Sequence, residues 1–173
     1  MGPKIVPNLE LTIPRLNLAN VCPPVLYSPV VAWLQGELVL MTANERAVAQ
    51  VLSGYNQALN SSDTTAVMPL YAQDGVFMPP YSPSAVGLAE VRKAYDAVFA
   101  AIRLTVKFNI AEIVEMSPDW VFARTNSAGT TLNHATGTVS REGNQELFIF
   151  HKEKDGKFKI ARYSFSTTTP VKA

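Results

Sequence analysis

Four polar side chains stand inside otherwise apolar runs in the C-terminal half of the chain: Arg124, Asn126, Glu146 and Arg162. Strict alternation puts Arg124 and Asn126 on one face of their strand. It groups Glu146 with Phe148 and Phe150 on the next, and Arg162 with Phe158 and Ile160 on the last. If those faces are concave, the charges converge. A carboxylate buried beside one or two guanidinium groups is costly unless paired, so such a set either orients a ligand's carboxylate or carbonyl or holds neighbouring strands in register. In the first case Glu146 is the one plausible general base and catalytic residue. Asn126 orients a substrate oxygen, and Arg124 and Arg162 tune the base or hold an anion. In the second case the same residues are ordinary cross-strand pairs. Tyr55 adds a phenol on a helical stripe, where it can donate to a ligand oxygen or simply pack in the core.

Other reactive side chains offer less. His134 falls in a loop and His151 near a strand end beside Lys152, both surface readings. Cys22 lies next to Pro23 with no Lys or His near it to lower its pKa, so it reads as an inert thiol. There is no His-x-x-x-His, no paired-cysteine motif and no glycine-rich loop between strand and helix, so neither a metal nor a cofactor is implied. Lys152, Lys154, Lys157 and Lys159 are interrupted by Glu153 and Asp155, a solvated hairpin edge rather than a nucleic-acid stripe.

The elements that would position these residues follow from the patterning. Thr42-Ala43-Asn44-Glu45 fits a capping box, after which Val48, Val51, Leu52, Tyr55 and Leu59 recur at helical spacing until residues 60–63 end the run. Asp63 can cap a short second helix whose regularity Pro69 limits. Asp74-Gly75 then marks a turn before a first strand, Val76-Phe77-Met78. Pro79, Pro80 and Pro83 stiffen the next loop, and Phe77, Met78, Tyr81 and Phe99 are candidates for an apolar mouth or plain core. Leu88, Val91, Tyr95, Val98, Phe99 and Ile102 define a third long stripe. Alternating segments follow at about 104–115, 120–131, 145–152 and 157–168, the last two joined by a hairpin with Asp155-Gly156, so an antiparallel meander is expected.

The whole is an α+β domain over residues 42–169, a curved antiparallel sheet wrapped around N-terminal helices, with a four-residue C-terminal tail at 170–173. Of 173 residues, 47% are hydrophobic and 17% charged, enough for one core. The formal charge of +1 provides no field favouring nucleic acid or an anionic membrane. One cysteine suits a reducing compartment, with the cytoplasm the default. Residues 25–41 are too interrupted to span a bilayer, and repeated prolines argue against a secretory signal.

Local runs also resemble a known family. Residues 55–63, then Leu70-Tyr71-Ala72-Gln73-Asp74-Gly75-Val76-Phe77-Met78-Pro79-Pro80, then Gly87-Leu88-Ala89-Glu90-Val91, and finally residues 146–150 and 157–163 are similar to the SnoaL-like branch of the nuclear transport factor 2-like superfamily. The resemblance implies a cone with a pocket at its open end, and homodimerisation through the outer face of the sheet. Relatives include ketosteroid isomerase, scytalone dehydratase, polyketide cyclases and noncatalytic modules, so fold alone does not choose a function. Ketosteroid isomerase places a carboxylate base near the end of the first strand, where this chain has Met78-Pro79-Pro80. The implied function is binding of a small hydrophobic oxygenated molecule, with cofactor-free isomerisation, cyclisation or dehydration as the chemistry. The alternative is a noncatalytic ligand-binding or dimerisation module.

Residues 1–41 hold six of the twelve prolines and only Lys4, Glu10, Arg15 and Glu37 as charges. They read as an appendage, either packed on the domain or a partner through residues such as Leu16, Leu18, Val30, Val31 and Trp33 or dispensable upstream of Met41. A chain beginning at Met41 separates the two in urea unfolding: an unchanged unfolding free energy marks a dispensable extension, and a lowered one marks packing.

Overall fold

The computed structural model describes residues 31–34 and 37–168, with side chains from 41 to 168. Cys22, the apolar residues before position 31 and the tail at 170–173 lie outside the described residues. Two short strands, β1 (Val31–Leu34) and β2 (Glu37–Leu40), pair antiparallel as a separate two-stranded sheet. Helix α1 (Ala43–Ser61) begins where its capping box predicts: the Thr42 hydroxyl accepts from the Glu45 amide, and the Glu45 carboxylate accepts from the Thr42 amide. It ends at Ser62, whose φ of 53° is left-handed. Its stripe of Val48, Leu52, Tyr55 and Leu59 is buried. Asp63 caps the one-turn helix α2 (Thr64–Val67) through the Ala66 amide, and Pro69 confines the next turn to a 3-10 geometry.

Six strands form the main sheet: β3 (Tyr71–Met78), β4 (Ala85–Val86), β5 (Ile102–Ser117), β6 (Trp120–Asn133), β7 (Val139–Lys152) and β8 (Phe158–Thr167), in the order β4-β3-β8-β7-β6-β5. Helix α3 (Leu88–Ala101) precedes β5 and buries Val91, Tyr95 and Phe99. The meander β5-β6-β7-β8 is antiparallel as the hairpins require, whereas β3 joins β8 in parallel, making the sheet mixed. The sequence reading started the first strand at Val76, after an Asp74-Gly75 turn. Instead β3 begins at Tyr71, and Asp74-Gly75 lies inside it, where the register jumps between Tyr71↔Ile160 and Val76↔Arg162. Strand β7 begins six residues before the expected position 145, because its first half is polar on both faces and lacks the alternation that marks a half-buried strand.

One face of the sheet carries the core. Leu104 and Val106, Val121 and Ala123, Phe148 and Phe150, and Ile160 and Tyr163 point inward onto α1 and α3. Two local devices shape this face. Ala161 is an extra residue between the pairs Phe150↔Ile160 and Ile149↔Arg162, a bulge that reverses the alternation of β8 from that point. Gly129 lies where β5 presses against β6: a β-carbon there would sit 2.0 Å from the Thr105 carbonyl oxygen and 2.8 Å from the Val106 α-carbon. Strand β5 is the sheet edge, and at Val106 its open backbone is matched by a side chain. The Asn60 amide accepts from the Val106 N–H at 2.7 Å and donates to its carbonyl at 2.8 Å, with Asn56 donating to the same oxygen at 2.9 Å.

Since the atoms that crowd Gly129 are backbone, they cannot move aside singly. Gly129→Ala is expected to cost about 2 kcal/mol or more in urea unfolding, at the upper end for overpacking. Ala128→Ser, one residue away on the exposed face, is expected to change stability by less than about 0.5 kcal/mol.

Candidate functional site

Between the helices and the inner face of the sheet lies a cavity of about 140 Å³. Its walls come from α1 (Tyr55, Leu59), α3 (Tyr95, Val98), and inward positions of β5 to β8. The character of the inner face changes along the strands. Toward the Lys152 end, β7 contributes Phe148 and Phe150 to a dry core. Two residues further back the same face presents Glu146, then Asn144, then Glu142, all three lining the cavity. Directly across, β6 supplies Thr125 opposite Glu146, Ser127 opposite Asn144, and Gly129 opposite Glu142.

Glu146 is 3% exposed and, among the described residues, has no cationic partner. The Thr125 hydroxyl donates to its Oε2, and Ser127 also hydrogen-bonds to the carboxyl. Burial pushes its pKa above the ordinary value of 4.5; the two hydroxyls pull it back in part, and the nearby Glu142 carboxylate pushes it up again. The Glu142 carboxylate accepts from the Thr131 hydroxyl on one oxygen and from the Asn144 amide at 2.8 Å on the other.

The opposite wall is phenolic. Tyr71, Tyr95 and Tyr55 form a buried chain of hydroxyls, with 2.9 Å between the Tyr71 and Tyr95 oxygens and 2.5 Å between those of Tyr95 and Tyr55. Burial holds all three well above the usual tyrosine pKa, and Tyr163 as well, so each is a neutral donor. Either hydroxyl of each pair can donate; with donation in the order Tyr71 to Tyr95 to Tyr55, the last proton is shared between Tyr163 and the cavity that both residues line. Nearby, the rings of Phe77, Tyr163 and Phe165 lie nearly parallel in a cluster, with the three centroids 5.5, 5.6 and 6.2 Å apart.

The five residues singled out in the sequence therefore separate. Tyr55 and Glu146 share the cavity. Arg124 and Asn126 do share a face, but it is the outer one, because the inward positions of β6 are Thr125 and Ser127. Arg124 pairs there with Glu112, Nε to Oε1 at 2.7 Å, with both side chains partly solvated. Arg162 leaves the face of Phe158 and Ile160 because the Ala161 bulge turns it outward and Tyr163 inward. It donates to the Asp74 carbonyl at 3.2 Å and stands 3.7 Å from the Asp74 carboxylate, bracing the irregular stretch of β3 against that of β8. The convergence of charges on one concave wall is thus not what the strands produce: Glu146 and Arg162 lie on opposite faces.

Neither histidine lines the cavity. His134 bonds through Nδ1 to the Ala100 carbonyl at 3.0 Å, and His151 packs on Trp120. Of the suggested mouth residues Phe77 lines the cavity, while Tyr81 is 91% exposed at a left-handed φ of 60°. Thr125, Ser127, Glu142 and Asn144 were not singled out from sequence. The available signal was their alternation with outward residues, in register with Glu146. Among the described residues, no three of His, Cys, Asp and Glu converge to hold a metal ion.

This helix-lined sheet with a partly polar inner face corresponds to a known class. Residues 52–163 match the model of the SnoaL-like domain, and the chain belongs to that family, with the nuclear transport factor 2-like fold. Among solved structures it is similar to a ketosteroid isomerase-like protein from Erwinia carotovora atroseptica, at 35% identity over 75% of this chain and 100% of that one, with a TM-score of 0.73. It is also similar in fold to a nuclear transport factor 2-like superfamily protein from Salmonella enterica, at 11% identity over 74% of this chain and 93% of that one, with a TM-score of 0.64. A scytalone dehydratase-like protein from Novosphingobium aromaticivorans aligns at 16% identity over 74% and 89%, with a TM-score of 0.62. No curated protein matches the chain.

The raised pKa of Glu146 has a definite sign in folding. The folded state holds the proton more tightly than the unfolded one, so the group's contribution is most favourable below about pH 4.5 and is lost as pH rises through the elevated folded value. Glu146→Gln removes that slope. In urea unfolding across pH 4 to 8, the variant's stability relative to the parent is expected to climb with pH; a constant difference would contradict the burial argument.

Proposed function

We propose that the cavity binds a small, largely apolar molecule with an oxygen function and that the chain catalyses a cofactor-free proton-transfer reaction on it, an isomerisation, dehydration or cyclisation. The observation that carries this reading is a buried carboxyl of elevated pKa, Glu146, sharing one cavity with the hydroxyl end of the Tyr71-Tyr95-Tyr55 chain. A carboxylate whose pKa is raised toward neutrality is a stronger base when ionised and a competent acid when protonated. Abstraction of a proton next to a carbonyl develops negative charge on oxygen. A neutral phenol held in a dry site stabilises that charge without reorganising. Glu146 is then the base, Tyr55 the donor to substrate oxygen, and Thr125 and Ser127 fix the carboxyl's orientation. The name of the Erwinia relative supports proton transfer in this fold. The base after the first strand that ketosteroid isomerase uses is absent from Met78-Pro79-Pro80, so Glu146 carries the role from a different strand.

Size narrows the substrate. A cavity of roughly 150 Å³ accommodates benzene, and pockets for drug-sized ligands run from about 300 Å³ upward. At about 140 Å³ this one takes a single ring or a short branched chain unless the cone opens. The small volume is also what favours the second reading, a noncatalytic module in which the cone is mostly core. The outer sheet face supports homodimerisation under either reading: Val114, Trp120 and Leu147 are partly exposed there, flanked by Phe122 and Ile149. The single cysteine fits a reducing compartment such as the cytoplasm.

Native mass spectrometry of the purified protein is expected to reveal a co-purifying compound of single-ring size. Against that compound Glu146→Gln should lower turnover by about 10³-fold or more, and Tyr55→Phe by about 10²-fold, each with its fold retained. Full turnover in Glu146→Gln would overturn Glu146 as the base, whereas absence of turnover by the parent chain would leave the noncatalytic reading standing.

A further inference from the structure

The cavity has an unusual charge balance. Glu142 and Glu146 both line it, two positions either side of Asn144 on one strand face, and no Arg, Lys or His is among its lining residues. The two arginines expected to hold an anion are on the outer face, engaged with Glu112 and Asp74. An anionic ligand entering this space would meet two carboxyl groups with no counter-charge. A ligand bearing an ammonium would supply the positive charge that these two carboxyls, one buried and one half-buried, lack in the cavity wall. The remaining walls suit the same ligand. Phe77, Tyr163 and Phe165 line the cavity with clustered aromatic rings, and an aromatic face attracts a cation and repels an anion.

Glu142 is the better recognition group of the two. It sits nearer the β6–β7 hairpin, opposite Gly129, which offers it no cross-strand side chain as a partner. Its two oxygens are held by Thr131 and Asn144, which fixes the carboxylate while leaving each oxygen a second lone pair for a ligand donor.

We infer that the site selects a small amine-bearing molecule over a carboxylate-bearing one, with Glu142 as the specificity-determining residue that holds the ammonium or hydroxyl donor. The inference rests on the reading of the cavity as a ligand site and names the class of ligand that reading leaves open. It assigns Glu142 recognition and leaves proton transfer to Glu146.

Three probes of matched size and different charge test this: benzylamine, benzyl alcohol and benzoate, titrated calorimetrically into the full chain at pH 7 and low salt. The expected order is benzylamine tightest, benzyl alcohol next and benzoate weakest, with about tenfold or more between the charged probes. Glu142→Gln should weaken benzylamine by about tenfold, leave benzyl alcohol within about threefold, and narrow the gap to benzoate. Its thermal unfolding is followed in parallel so that lost binding is scored only in folded protein. Benzoate binding as tightly as benzylamine to the parent chain overturns the inference while leaving the ligand site intact. Equal losses of all three probes in folded Glu142→Gln overturn Glu142 as the selector. Failure of all three to bind the parent chain overturns the ligand-site reading itself, and the inference with it.

Discussion

Helix α1 lays Val48, Leu52, Tyr55 and Leu59 into the concave face of the sheet, and the rest of the molecule is arranged so that this face can curl far enough to receive them. Each buried side chain of that size contributes roughly 1.5–3 kcal/mol, so the stripe is among the larger favourable terms in the fold. Its cost is geometric. Two local features accompany it: the missing side chain at Gly129, where β5 backbone closes in, and the extra residue at Ala161. The second of them decides that Tyr163, and not Arg162, faces the cavity.

Tyr55 belongs to both the core and the site. Its ring makes edge contacts with Phe148 and Tyr163, and its hydroxyl ends a buried chain that starts on β3 and passes through α3. Three elements that are distant in sequence are thereby fixed to one another at the cavity wall. Buried phenols without partners would each cost a desolvation penalty; linked in series they satisfy one another. The carboxyl side follows a similar rule with different groups. Thr125, Ser127, Thr131 and Asn144 are neutral, and neutral donors hold a carboxyl in place without fixing its charge as a guanidinium would. An arginine at position 125 would have made Glu146 half of a salt bridge.

Much of the scaffold was legible in the sequence because each long element has a single dominant period. The capping box at Thr42, the stripe of α1 and α3, and the Asp155-Gly156 hairpin all lie where local chemistry places them. Glu146 was legible too, as a carboxylate between apolar neighbours. The partners chosen for it were wrong in face rather than in type. Alternation fixes which residues share a face but not which face is inward, so Arg124 and Asn126 travelled together to the wrong side. For Arg162 even the alternation failed, since a bulge leaves no local mark in a run such as Ile160-Ala161-Arg162-Tyr163. The parallel pairing of β3 with β8 is likewise a contact between segments some ninety positions apart, beyond the reach of any local pattern.

Strand β5 is sixteen residues long and closes one side of the sheet, the kind of border along which β-proteins recruit further strands from other molecules. At its middle the Asn60 amide offers Val106 the same donor and acceptor that a neighbouring backbone would. An incoming strand would have to displace the last turn of α1 before it could pair there. The helix that fills the cone therefore also covers its seam at that point, through two carboxamides, Asn56 and Asn60, that take no part in the proposed chemistry.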